Sequence, residues 1–321
     1  MKTRHDLRRS DMRAIVYDRY GPPDVLQIRD VPVPRRSRGA SRVRVEAVGL
    51  NPKDVLVRKG RMRWLVGGTL PRIPGYDVAG ELIDAAPGLP AGSAVFGMLQ
   101  GHRGGACAEL AVLRHDELAR RPGSLDALEA ASLPLAGLTA LQALRDELAV
   151  QPGQRVLLNG ASGGVGTLAV QITRALGEQP IAVCSGRNAE LVRELGAHEV
   201  VDYTREDLTA RRGLDAVFDI YGNLGWSRAR PMLRGGGRFC TTVPRPASIA
   251  RGVLRRLGVH RAALVVVKSR RADLEQLAAW VKAGRLRPVV DRVVGFAESA
   301  AGHRHLETRR ARGKVVVDVQ G

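Results

Sequence analysis

The spacing of apolar residues changes character twice along the chain, near residue 135 and again near 273. Between 13 and 130 the apolar residues form short β-prone runs, such as AIVYD (14–18), VRVEAVGL (43–50) and AVFGML (94–99). Prolines at 22–23 and in VPVP (31–34) interrupt any helix there. From GLTALQALRDELAV (137–150) the period becomes helical, and QPGQ (151–154) makes a turn. Strand-like and helix-like runs then alternate: RVLLN, GVGTLAVQITRAL, PIAVCS, NAELVREL, EVVDY, LDAVFDI, LGWSRARPML, GRFCTTV. That alternation predicts a parallel sheet covered by helices. The run AALVVV (262–267) closes it as a last strand, and DLEQLAAWVKAGRL (273–286) follows as an amphipathic helix. The remainder returns to strands around RPVVDRVV and GKVVVDVQ, with a helix at FAESAAGHRHLE between them.

A length of 321 residues favours two domains over one. No apolar stretch approaches the roughly 20 residues that span a bilayer, so a membrane is not an expected partner. Residues 1–11 are basic, lack an apolar segment behind them, and are read as a flexible leader rather than a secretory signal. Cys107, Cys184 and Cys240 are odd in number and far apart, which argues against a disulfide framework and for the cytoplasm. The net charge of +19 raises nucleic acid as a partner. However, 45 of the 51 basic residues are arginines, spread along the whole chain, and no zinc finger, basic zipper or aromatic RNA-binding motif accompanies them. A solvated basic surface is the expectation, with RNA binding through the basic stretch 251–321 as the alternative from another class.

The chemistry concentrates in VLLNGASGGVG (156–166), where a strand runs into glycines ahead of a helix. As G-x-S-x-G, residues 160–164 form a nucleophile elbow with Ser162 as nucleophile, and His198, His260, His303 and His305 as candidate bases. As a dinucleotide turn, Ala161, Ser162, Gly163, Gly164, Val165 and Gly166 instead bring backbone N–H groups to a pyrophosphate at the helix N-terminus. The α/β alternation begins only at this strand, and an elbow leaves Gly166 unexplained. Context therefore favours the dinucleotide.

Several longer stretches carry a resemblance: GLNPKD (49–54), PGYDVAG (74–80), LPLAGLTALQAL (133–144), ELGAHEVVDY (194–203) and HRHLETRRARGKVVV (303–317). With them the chain resembles the zinc-independent quinone oxidoreductase branch of the medium-chain dehydrogenase/reductase family, from about Arg13 to Val319. The fold implied is α/β, a Rossmann doubly wound parallel sheet inserted into a GroES-like β-rich domain. The expected boundaries are 12–133 with 273–321 for the GroES-like part and 134–272 for the Rossmann part. The activity implied is NADPH-dependent reduction of quinones or α,β-unsaturated carbonyl compounds, with an enoyl-thioester reductase as runner-up. Resembling enzymes dimerise through the last Rossmann strand, which implies a homodimer through 262–267.

The resemblance also sets the expected site. Zinc-dependent relatives carry His-Glu where this chain has Tyr76-Asp77, and a Cys near Asn51, so no metal is expected. Asn51 is the candidate hydrogen-bond donor to a substrate carbonyl and Tyr76 the candidate proton donor. An NAD site usually places a carboxylate about 20 residues past the glycines. Ser185, Arg187 and Asn188 stand there instead, with Tyr203 ending the next strand, which points to NADPH and its 2′-phosphate. Tyr221, after LDAVFDI, is placed beside the cofactor.

Overall fold

The computed structural model describes residues 10–63, 67, 69–101, 104–256 and 261–321. The expected leader falls mostly outside these residues, but Asp11 already opens the first strand, where it pairs with Pro32. The chain forms two compact units: Met1–Leu135 with Ser269–Ala279 and Val290–Gly321, and Ala136–Lys268 with Trp280–Val289.

In the first unit, β1 (Asp11–Val16) and β2 (Gln27–Pro32) form an antiparallel pair. The main sheet has seven strands. They are β3 (Ala40–Leu50), β4 (Asp77–Leu82), β5 (Ala94–Met98), β6 (Leu110–Arg114) and β7 (Leu118–Arg120), joined late in the chain by β14 (Val290–Gly295) and β15 (Lys314–Asp318). Their order is β14-β15-β3-β4-β5-β7, with β6 also on β3. Every pairing is antiparallel except β14 with β15. β3 shows why its sequence takes this form: Val43 and Val45 are buried, while Arg42, Arg44 and Glu46 alternate with them toward solvent. Among the described residues three helices belong wholly to this unit: α1 (Pro52–Arg58), α2 (Ala127–Ala131) and α9 (Ser299–Glu307).

The second unit is a six-stranded, all-parallel sheet. Its strands are β8 (Arg155–Asn159), β9 (Gln179–Cys184), β10 (Glu199–Asp202), β11 (Leu214–Asp219), β12 (Leu233–Thr241) and β13 (Ala262–Leu264). The spatial order is β10-β9-β8-β11-β12-β13, the doubly wound arrangement. Central strand β8 presents Val156, Leu157 and Leu158, all without solvent exposure, as a strand covered on both faces requires. Helices α4 (Gly164–Ala175), α5 (Ala189–Glu194), α6 (Gly225–Ala229) and α7 (Pro246–Arg256) lie in the crossovers. The remaining helices, α3 (Pro134–Gln142) and α8 (Arg271–Lys282), each contain one of the four points where the chain changes unit. Order reverses between β8 and β11, so the crevice beyond their carboxyl ends is the switch point at which such sheets bind ligands.

The expected last strand is shorter than AALVVV. Only Ala262–Leu264 pair with β12, and one more bond runs from Val265 N–H to the Thr241 carbonyl. The β12 ladder ends at Thr241, so Val266 has no partner strand and stands 57% exposed. Among the described residues no helix is long and apolar enough to cross a membrane.

Candidate active site

In the first unit the chemistry gathers where β3 runs into α1 and meets the starts of β4 and β15. Asn51 precedes Pro52 at the N-terminus of α1, and the Asp54 carboxylate accepts from its backbone N–H at 2.8 Å. The other Asp54 oxygen accepts from Gly75 N–H at 2.8 Å. Burial pushes the Asp54 pKa up to about 6, against the pull of those two backbone donors.

The Asn51 carboxamide is committed within the protein. Its Nδ2 donates to the Gly49 carbonyl at 3.1 Å and to Asp77 Oδ2 at 3.0 Å. Its Oδ1 accepts from Lys314 Nζ at 2.6 Å. Lys314 Nζ also donates to Asp77 Oδ2 at 3.0 Å, while Asp77 Oδ1 accepts from Leu135 N–H at 2.7 Å. Both amide N–H groups of Asn51 are therefore engaged within the protein, whereas the resemblance implies that one donates to a substrate carbonyl. Tyr76 is buried, and burial, with the Asp54 charge second, holds its phenol protonated far above the ordinary range. Such a phenol is a poor acid. Over its ring, 3.7 Å from the centroid, lies Lys53 Nζ.

These residues do not fit a zinc ion. The Lys314 ammonium stands between Asn51 Oδ1 and Asp77 Oδ2, and among the described residues no group of three or more His, Cys, Asp or Glu could hold a metal ion. Nothing in the sequence signalled Lys314 as part of the site beyond its rarity as one of six lysines, set against an apolar strand.

In the second unit the glycine turn has a clear physical logic. Gly160 adopts φ +96° and donates to Val183 O, with Ala161 N–H on the same carbonyl. A Cβ on Gly166 would lie 2.1 Å from the Gly160 carbonyl oxygen, so only glycine lets α4 approach β8 this closely. Gly163 caps α4, and the N–H groups of its first turn have no intrahelical acceptor. Ser162 is not an elbow nucleophile: among the described residues only Ala149 and Arg309 are non-glycine residues of positive φ, and the Ser162 hydroxyl accepts from Asn188 Nδ2 at 2.9 Å. Of the proposed bases, His260 lies outside the described residues, while His303 and His305 bond to Arg58 and Asp291 in the first unit.

Asn188 thus links the turn to the segment after β9, and its Oδ1 is buried without a partner. Ser185 and the exposed Arg187 flank it. Tyr203, 57% exposed, is drawn alongside by its N–H bond to Cys184 O. One carboxylate enters this neighbourhood that spacing along the chain did not reveal. Asp202 comes from β10, accepts from Gly186 N–H and from the N–H and hydroxyl of Thr204, and is thereby held below the usual carboxylate range.

At the switch point, Asn159 Nδ2 donates to Asp219 Oδ1 at 2.7 Å. The buried Asp219 carboxylate also accepts from the N–H groups of Gly222, Leu224 and Gly225. This fixes the loop that carries Tyr221, which is 48% exposed and packs over Gly160. Asp219 and Asn159 were not singled out in the sequence, where both read as strand-end residues. The N–H groups of the turn and the Arg187 guanidinium fit the phosphates of a dinucleotide, and the orphaned Asn188 oxygen fits a hydroxyl.

The chain matches the alcohol dehydrogenase GroES-like domain over residues 37–123 and the zinc-binding dehydrogenase family over 195–317. It is 31% identical to the chloroplastic quinone oxidoreductase QR1 of Triphysaria versicolor, covering 96% of this chain and 98% of that protein. It is 32% identical to the chloroplastic NADPH-dependent alkenal/one oxidoreductase of Arabidopsis thaliana, across 96% of this chain and 79% of that one. The solved quinone oxidoreductase of Coxiella burnetii superposes with a TM-score of 0.87 at 32% identity, covering 97% of this chain and all of the other. With a doubly wound sheet inserted into a GroES-like domain and relatives of this kind along nearly its whole length, the chain belongs to the medium-chain dehydrogenase/reductase family of NAD(P)H-dependent oxidoreductases, in its quinone oxidoreductase branch.

Proposed function

We propose that this protein reduces quinones or α,β-unsaturated carbonyl compounds with NADPH and without a metal. The observation that carries the reading is the glycine turn of the second unit, joined through the Ser162–Asn188 bond to a segment bearing Ser185 and Arg187. A guanidinium with hydroxyl and amide neighbours suits a dianionic 2′-phosphate, since charge-assisted hydrogen bonds are the strong ones. Both oxygens of the nearby Asp202 are occupied by protein donors. Bound there, the dinucleotide supplies hydride. The protein's own share is to hold the pyrophosphate on the first turn of α4 and to present Tyr221 from the loop braced by Asp219.

The relatives named for quinones and alkenals support the substrate class, and the ammonium of Lys314 supports metal-free chemistry. An electron-poor alkene or quinone accepts hydride without a Lewis acid, because the negative charge delocalises onto oxygen. Steady-state NADPH oxidation against a panel of quinones, enals and enoyl thioesters tests the reading. No turnover on the panel, with salt-dependent RNA binding in its place, would reverse it.

The same proposal includes a homodimer. β13 is an edge strand, and the chain beside it leaves Val266 and Ile249 exposed at 57% and 48%. Light scattering at micromolar concentration should return twice the chain mass, and a monomer there would dismiss the dimer.

A further inference from the structure

Four polar side chains at the β3–α1 corner, Asn51, Asp54, Tyr76 and Asp77, are buried, and each is held by the protein itself or fixed in its protonation. Lys53 differs from them. It lies in the first turn of α1, where the helix dipole disfavours a cation. It forms no salt bridge among the described residues, although Asp54 is its chain neighbour, and the Asp54 oxygens accept backbone N–H groups instead. The ammonium donates to the Gly101 carbonyl at 2.8 Å and rests on the Tyr76 ring face. Of its three N–H groups, one serves Gly101 and one faces the ring, and the third meets no acceptor among the described residues. Lys53 as a residue is half-buried rather than enclosed. Partial burial also lowers its pKa, making it a readier acid than an ordinary lysine.

We propose that Lys53 is a catalytic residue, which hydrogen-bonds the carbonyl oxygen of the substrate and gives it a proton during reduction. This rests on the oxidoreductase reading. As hydride enters the β-carbon of an enone with its electron pair, the C=C pair shifts toward the α-carbon and the carbonyl π pair moves onto oxygen. The Nζ–H bond then breaks, its proton joins that oxygen, and the enol forms. The neutral amine regains a proton from water, and the enol relaxes to the saturated ketone. For a quinone the same proton completes the hydroquinone. An ammonium beside a developing oxyanion is worth more in a half-buried corner than in water. Lys53 takes over the tasks that the resemblance implies for Asn51 and Tyr76.

The test uses the full chain with Lys53→Met and Lys53→Arg. Lys53→Met should lower kcat by roughly 100-fold, the scale seen when one charge-stabilising donor is lost, and leave the NADPH KM within about two-fold. The wild-type kcat should fall in alkaline solution as Lys53 deprotonates, and in Lys53→Arg that fall should move to higher pH. A readout apart from turnover is 4-nitrophenol added with NADP+. Wild type should hold it as the phenolate below its solution pKa, and Lys53→Met should not. Unchanged kcat and pH profile in Lys53→Met, or equal phenolate binding by both, would overturn the proposal. If Lys53→Met fails to fold, the Lys53→Arg pH profile decides alone, and an unshifted limb overturns it. NADPH fluorescence on wild type separates the two levels. Without binding or turnover there the function falls, whereas turnover shared by wild type and Lys53→Met removes only Lys53.

Discussion

The Nζ atom of Lys314 lies 3.0 Å from Oδ2 of Asp77, and both side chains are buried, at 5% and 0% exposure. Removing one member of such a pair leaves a charge without compensation, which costs about 3–5 kcal/mol. Lys314→Met should therefore destabilise the protein by that amount in urea unfolding. Adding Asp77→Asn should recover part of the loss, since an amide needs no counter-charge. A loss under about 1 kcal/mol would show that removing Lys314 leaves no costly buried charge behind.

Acid should weaken the first unit through His303. Burial, and after it the charge of Arg58, lowers its pKa to about 3, while Glu307 pulls the other way. The neutral ring accepts from Arg58 Nε at 3.4 Å, and its Nε2 is buried without a partner. Since the folded pKa is depressed, the unfolded chain takes up a proton first. The stability is fully present above about 6.5 and is lost toward 3, by roughly 1.4 kcal/mol per pH unit. His303→Gln keeps an acceptor for Arg58 and should flatten that slope. An identical slope in the variant would assign the acid loss to other groups.

Alkali should weaken the second unit through Glu178. Both its carboxylate oxygens are buried without a partner, and burial pushes its pKa up to about 8. Here the folded state holds the proton more tightly, so stability is greatest below about 4.5 and falls as pH rises to about 8. Glu178→Gln should stabilise the protein at pH 8 by on the order of 2 kcal/mol and far less at pH 5. Denaturant melts at both values check this, and equal effects at the two would refute it.

Cofactor choice should depend on Arg187. Arg187→Ala should weaken NADPH binding by about 1–3 kcal/mol and leave NADH binding nearly unchanged. Fluorescence titration with each dinucleotide measures the difference. Equal losses, or a wild-type preference for NADH, would mean that the guanidinium does not meet a 2′-phosphate.

Much of this was legible in the sequence where the physics is local. The glycine turn announces itself because strand, glycines and helix are contiguous, and Gly166 answers a contact only six residues away, at Gly160. The alternation from Arg155 onward reports the parallel sheet for the same reason. What escaped notice depends on pairing across long separations. Lys314 meets Asn51 across 263 residues, and GKVVV shows only a strand with a basic start. Asp202 is brought against Gly186 by the β9–β10 register, which no spacing rule reveals. Valines favour a strand, so AALVVV reads as six strand residues, whereas β13 ends at Leu264 because β12 ends opposite it at Thr241.

The place of β15 between β14 and β3 bears on how the protein is made. Lys314 leaves the ribosome 237 residues after Asp77, a delay of roughly 10–50 s at ordinary rates of synthesis. Throughout that interval β3 and β4 can pair, but the Asp77 carboxylate has no ammonium to meet and the sheet keeps an open edge at β3. The second unit, whose strands all precede β15, can close during the same wait. The nascent chain therefore carries one finished unit and one whose central gap is filled last, and it is during this window that the first unit is most in need of a chaperone.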